Sequence, residues 1–428
     1  MATGSSRRSE AIIRNRLIFA ALTISCVASI ALAAEPLPVP MPAPEALAYH
    51  RGQNLFWLAD QALSLLLPIV ILATGWSARL AGWASRATHG RWYRALLLYG
   101  LLYLLITFVV NFPLSYARDF VFAHAYDQSN QSFGRWTRNE IISLANDLVF
   151  AALTIWVPFW LIRRRPKSWW LWGAGAVAPI LILGAVIFPV WVLPQFTTFT
   201  PLPPSPLRTA IEAEAARVSL TKPTILLMDR SSDSKTFDAY VAGLGGTARI
   251  VIFDTTLTTL TEPEILFLIG HEMKHYLMHD LWKLTGIYIG LAFIGFFATD
   301  RLARLATRRW GHRLGFSNIG EPAALPLLWV SLEIVILIVT PLVNAATRHM
   351  EHEADRFGLE MTHDNRAAAS MFIKHQSEAL GVPYPGWLER TFRQNHPSLG
   401  DRIMFANDYH PWEDGKPLVY GDRIKPAE

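Results

Sequence analysis

The sequence predicts a mainly α-helical, polytopic membrane protein of about seven transmembrane helices, with a small α+β domain split around the last two spans. Three observations predict it. Hydrophobic residues make up 52% of the 428 and charged residues only 17%, too little polar surface for a soluble globule of this size. Apolar runs long enough to cross a bilayer recur about seven times. A polar stretch of mixed helix and strand character precedes the last two runs, and a second follows them.

The runs fall near residues 17–34, 56–76, 95–112, 141–162, 169–192, 281–298 and 324–343. Trp57, Trp76, Tyr99, Trp169, Trp170 and Trp282 lie near run ends, as interface anchors do. Arg7, Arg8, Arg14 and Arg16 precede the first run, and Ala31-Leu32-Ala33 ends it like a small-residue cleavage site. Residues 1–34 are therefore either a signal peptide or a first transmembrane helix. Proline-rich LPVPMPAP, residues 37–44, is an extended linker. Residues 35–200 form an N-terminal transmembrane region, and 201–428 a second region that includes the spans at 281–298 and 324–343. Within it, residues 206–220 are patterned as a helix, 224–229 and 249–254 as short strands, and AYVAGL, 239–244, as an edge strand before a Gly-Gly turn. Thr261, Pro263 and Glu264 mark the start of a helix that carries IGHEMKHYLMHD, residues 269–280. Residues 344–428 are polar, with two helical patterns.

Composition also excludes. The single cysteine, Cys26, permits neither an intrachain disulfide nor a cysteine-based zinc site, so any metal here uses His, Asp or Glu. The net charge of +5 comes from basic residues beside the apolar runs, with no basic stripe interleaved with aromatics, so the expected partner is a lipid bilayer and not nucleic acid. Asp60, Asn146, Asp147 and Glu333 lie inside spans, where polar groups are costly and either serve a function or bond helix to helix.

In HEMKH, His271 and His275 are four apart and share a helical face, where two neutral imidazoles can bind one zinc ion. Glu272 lies beside them, placed to take a proton from a zinc-bound water. His279 extends the row by one more turn. A catalytic zinc needs a third ligand, and Leu281 rules out a further histidine at the metzincin spacing. After the last run, Asn344, Arg348, Glu351 and Asp355 are spaced four, three and four apart, on one face of one helix; Glu353 points elsewhere. That face selects Glu351 as ligand, with Asp355 placed to accept a hydrogen bond from the far nitrogen of a zinc histidine. The plainer alternatives are a chance motif and a solvated charged face.

With these motifs in hand, the chain resembles the M48 metallopeptidases, and among them the Ste24-type CAAX prenyl protease membrane peptidases. The resemblance rests on residues 230–257 before the zinc helix, on HEMKH, on the stretch from Asn344 to Asp355, and on NHPSLGDRI, 395–403. It implies a small gluzincin-like zinc metallopeptidase domain and an integral membrane zinc metalloendopeptidase acting on peptide or protein substrates. It implies one zinc per chain on His271, His275 and Glu351, Glu272 as general base, and His396 and Asn344 near the site, where they could steady the oxyanion. It implies that the strand with Ala239, Tyr240 and Val241 holds the substrate backbone. CAAX-type cleavage and membrane-protein quality control are both open, and the rival reading is a catalytically silent scaffold that keeps the fold. Two residues depart from the family pattern: Lys274, where glycine is frequent, and Asp238, where the Ste24 type usually has asparagine.

Basic residues lie before the first run, at 79–94, at 163–167 and at 301–313. With seven spans these sets share one side, which the positive-inside rule makes cytoplasmic. The zinc domain is then extracytoplasmic, in what the signal-like start marks as a bacterial plasma (inner) membrane. The resemblance implies the opposite side for eukaryotic members; the charge pattern belongs to this chain and is preferred.

Overall fold

Among the described residues of the computed structural model, 35–243 and 248–426, six helices are long and apolar enough to cross a membrane. The run at 17–34 lies outside them. The first span is α1, Pro44–Ala73. A left-handed Gly75 (φ 71°) turns the chain into the short α2, Trp76–Ala87. The second span is α3, Trp92–Ser115, which runs on through a π-helical turn, Tyr116–Phe122, to Ala125. Pro113, which lacks the N–H that a regular helix needs, lies just before that turn. The third span joins α4, Phe133–Thr154, to α5, Trp156–Arg164; the fourth is α6, Trp169–Ile187, extended to Gln195. The fifth is α10, Asp280–Leu314, and the sixth is Pro322–Thr362, mostly α11, Leu325–Thr362.

The spans pack against one another at their basic ends. Leu72, Leu96, Phe159, Ile162, Trp169, Phe316, Ala324 and Leu327 form one buried cluster there. Polar ties reinforce it: the Ser77 hydroxyl bridges the Tyr99 hydroxyl (2.7 Å) and the Ala323 carbonyl (2.6 Å). Buried Asp300 accepts from the Trp169 indole (2.5 Å) and from Arg304 (2.7 Å), so neither charge is left bare. By contrast, no residue in the apolar windows of the third and fourth spans is buried. Of the polar residues inside spans, Asp60 pairs with Arg118, which also holds Asp119 (2.7 Å).

Between the fourth and fifth spans the chain builds a four-stranded sheet in the order β1-β2-β4-β3. Its strands are β1 Phe199–Pro201, β2 Thr224–Met228, β3 Ala239–Ala242 and β4 Arg249–Phe253. β2 and β4 are parallel, while β1 and β3 add antiparallel at the two edges. Ile225, Ile250, Val251 and Ile252 are almost fully buried, as expected of β-branched residues in central strands. The helices of this region are α7 Pro206–Arg217, α8 Asp254–Thr259 and α9 Glu262–Leu277, followed after α11 by α12 Asn365–Glu378, α13 Trp387–Phe392 and α14 Leu399–Asp408.

Hydropathy understates α11. The expected run stops at residue 343, where side chains turn polar, yet the 38-residue helix continues without a break to Thr362. The last span and the helix that bears Glu351 are one rod.

Candidate metal centre

α9 starts where its sequence says it should. The Thr261 N–H donates to Glu264 (2.7 Å), closing a capping box, and Glu264 also accepts from Ser370 (2.6 Å) and Lys374 (2.7 Å) of α12. Phe267, Ile269 and Met273 are fully buried, each contributing about 1.5–3 kcal/mol. α9 then crosses α11 at a pair of glycines. A Cβ on Gly358 would meet the Phe267 ring at 2.9 Å and its carbonyl at 3.1 Å; one on Gly270 would lie 3.4 Å from the Gly358 Cα. This close crossing brings His271, one residue past Gly270, against the face of α11 that carries Glu351 and Asp355.

His271, His275 and Glu351 each offer a ligand atom, and the three atoms lie within 4.8 Å of one another. Among the described residues this is the one such group, and His279 does not join it. The two Nε2 atoms are 3.3 Å apart, and Glu351 sits 3.2 Å from His271 and 3.6 Å from His275. Each imidazole turns its Nδ1 to a carboxylate, His271 to Asp355 (2.9 Å) and His275 to Asp280 (2.9 Å). Arg402 pins Asp355 with two bonds (2.6 and 2.9 Å) and lies over the Phe372 ring.

Asp280 and Lys274 as outer partners escape sequence reasoning. His279 takes a left-handed conformation (φ 56°) that ends α9 and starts α10, and this reversal returns Asp280 to His275. No helical spacing rule finds a residue across such a break. Lys274, 3% exposed, donates to Asp280 (2.6 Å) and to the Met350 carbonyl (2.7 Å), so one ammonium ties the partner of His275 to the backbone beside Glu351. The one available signal was Lys274 itself, a charge at a position where glycine is frequent.

Glu272 lies beside the group, 3.8 Å from His271. Burial pushes its carboxyl up to about 7, with Asp238 adding to the rise and His271 opposing it. His396 reaches Glu351 with Nε2 (3.1 Å) and holds Asn395 with Nδ1 (2.8 Å). Asn344 is not part of the cavity wall: its amide donates to the Thr391 carbonyl (3.1 Å), while Arg348 donates to the carbonyls of Arg390 and Gln394. The first half of the expected α11 face thus clamps the segment that leads to His396, and the second half serves the metal group. All of this opens on a cavity of about 640 Å³ whose wall includes Asp238, Ala239 and Tyr240 of the β3 edge.

Residues 204–409 match peptidase family M48, and residues 44–198 match the CAAX prenyl protease N-terminal region of five membrane helices. An uncharacterized metalloprotease, YhfN, of Bacillus subtilis is 30% identical over 360 residues, 84% of each chain. The chain belongs to peptidase family M48. CAAX prenyl protease 1 of Saccharomyces cerevisiae is 26% identical over 336 residues, 72% of this chain and 71% of its own. The crystal structure of S. mikatae Ste24p superposes with a TM-score of 0.72 at 22% identity, covering 85% of this chain and 87% of the other, so the fold is shared. This M48 chain is an integral membrane metalloprotease.

The family carries a metal cofactor, and the donor set fits one. Glu351 Oε2 is buried without a well-formed hydrogen bond, although two imidazole nitrogens lie close. With both Nδ1 atoms facing carboxylates, the two Nε2 lone pairs converge, which a cation between them relieves. Burial disfavours charge on His271, yet Asp355 and Glu351 outweigh it and raise the ring, so the surrounding carboxylates favour a positive charge here, whether a proton or a metal ion.

Proposed function

We propose that the chain is a zinc metalloendopeptidase that hydrolyses peptide bonds of membrane-associated or exported proteins, with residues 201–428 as the peptidase unit. The observation that carries it is the convergence of His271, His275 and Glu351, from two helices, on one point. His271, His275 and Glu351 would hold the zinc ion, which when bound would supply Lewis-acid polarisation and a water of lowered pKa. Glu272, beside the group, would accept a proton from the water that attacks the peptide carbonyl and return it to the leaving amine nitrogen as the C–N bond breaks. His396 donates a hydrogen bond to the developing oxyanion, and Asn344 and Arg348 hold the segment that positions it. Ala239, Tyr240 and Val241 accept the substrate as an added strand, since β3 pairs with β4 on one side and ends the sheet on the other.

The named yeast relative is a CAAX prenyl protease, and CAAX-type cleavage is one substrate class; cleavage of damaged membrane proteins is the other. The basic sets at 79–94, 163–167 and 301–313 lie at the span ends opposite the metal group, which supports an extracytoplasmic peptidase domain. The test is zinc content per chain in detergent, with cleavage of an unfolded protein as second readout. Wild type is expected to hold close to one zinc, Glu351→Ala to lose most of it, and Glu272→Gln to keep zinc and lose cleavage by a factor of about 10³ or more. A wild type that holds zinc yet cleaves nothing would instead be a scaffold.

A further inference from the structure

We infer that Asp238 is a specificity residue that selects substrates carrying a lysine or arginine side chain next to the scissile bond. This rests on the peptidase reading above and goes beyond it by naming the side-chain chemistry the cleft accepts. Four carboxylates line the cavity: Asp238, Glu272, Asp280 and Glu351. Glu351 belongs to the metal group and Glu272 is the proposed base. Asp280 is saturated by His275, Lys274 and Lys283 (3.0 Å). The two arginines in the wall are also engaged, Arg402 with Asp355 and Arg393 with Asn54 and Glu389. What remains is Asp238, which among the described residues forms no ion pair, although His271, His396 and Arg402 lie near enough for their charge to be felt.

Asp238 is held where a substrate side chain would meet it. Its backbone is fixed on both sides: its N–H donates to Thr256 Oγ1 (3.0 Å), and its carbonyl accepts from Phe253 N–H (3.1 Å) and Thr256 Oγ1 (2.6 Å). Its carboxylate is exposed to the cavity, and among the described residues it accepts one hydrogen bond, from the Ala239 N–H (2.8 Å). It opens β3, the strand along which the substrate would lie, and it is close enough to Glu272 for its charge to be felt there. Burial raises its own carboxyl, against the opposing pull of the Ala239 N–H, His271, His396 and Arg402. A Lys or Arg head group would satisfy that anion while its alkyl stem packs on Phe237, Leu268 and Met371 of the same wall. An acidic side chain would meet both Asp238 and Glu272, and repulsion of the wrong partner sharpens selection.

The experiment uses the full-length, zinc-loaded protein in detergent. Reduced casein is digested and cleavage sites are mapped by mass spectrometry. Quenched peptides built on a mapped site then carry Lys, norleucine or Glu at each flanking position in turn. Wild type should favour Lys over norleucine at one flanking position by about tenfold in kcat/KM, the scale of a single charge pair in a partly wet site. Asp238→Asn should abolish that ratio, Asp238→Glu should restore most of it, and Asp238→Lys should turn the preference toward Glu. A merely structural role for Asp238 would change rates without moving these ratios. Cleavage with no basic preference, or a ratio unchanged in Asp238→Asn, overturns the inference and leaves the peptidase reading intact. Absence of any cleavage by the zinc-loaded wild type overturns both.

Discussion

Lys274 shows how one side chain can tie a metal site together. Its ammonium is almost fully buried and meets two acceptors, Asp280 at the start of α10, which holds His275, and the Met350 carbonyl of α11, beside Glu351. Removing it strips the buried Asp280 carboxylate of one partner, which is costly, and cuts its tie to the Met350 carbonyl. Lys274→Met is therefore expected to weaken zinc binding by about ten- to a hundredfold, the usual cost of losing an outer partner, measured by chelator competition. Unchanged affinity would mean that Lys283 alone suffices to hold Asp280. The expected partner of His271, Asp355, was legible because residues four apart share a helix face; Asp280 was not, because its approach depends on the left-handed turn at His279.

At the scale of elements, the site depends on how closely α9 and α11 approach. Gly270 and Gly358 face each other at the crossing; a methyl group on Gly270 would just touch α11, but one on Gly358 has no room without displacing the Phe267 ring and backbone. Gly358→Ala should push the helices apart by a few tenths of an ångström, lower the thermal midpoint and reduce zinc affinity together. A variant that loses stability but keeps wild-type zinc affinity would show that the ligands reach the metal from a looser crossing. The helices themselves were largely legible. The start of α9 and the face of α11 follow from capping and spacing, whereas the continuity of α11 through residue 343 did not, since hydropathy marks where lipid ends and not where a helix does.

For the whole molecule, the spans gather at their basic ends around Leu72, Phe159, Trp169 and Phe316, while the metal group sits beyond the other ends. Charge and packing thus give the molecule a polarity across the bilayer. A C-terminal alkaline phosphatase fusion is expected to be active in a bacterial host, because that reporter folds only outside the cytoplasm. An inactive phosphatase beside a fluorescent C-terminal green fluorescent protein fusion would place the peptidase domain in the cytoplasm and overturn the charge argument. His50 and Asn54 of α1 meet Glu389 of α13, so the first described span is fastened to the segment that carries His396.

The sequence by itself determined the class of molecule, the order of the six spans among the described residues and which three side chains could form a metal group. Each is written in local pattern: hydropathy over about twenty residues, a four-residue repeat on a helix, a capping box. Tertiary structure alone decided which polar groups are spent and which are free. That is why Asn344 turns out to brace a loop, Lys274 to clamp two helices and Asp238 to stand unpaired in the cleft. The physical reason is that a charge is satisfied by whatever lies within hydrogen-bond reach in space, and chain spacing predicts such neighbours only within one regular element.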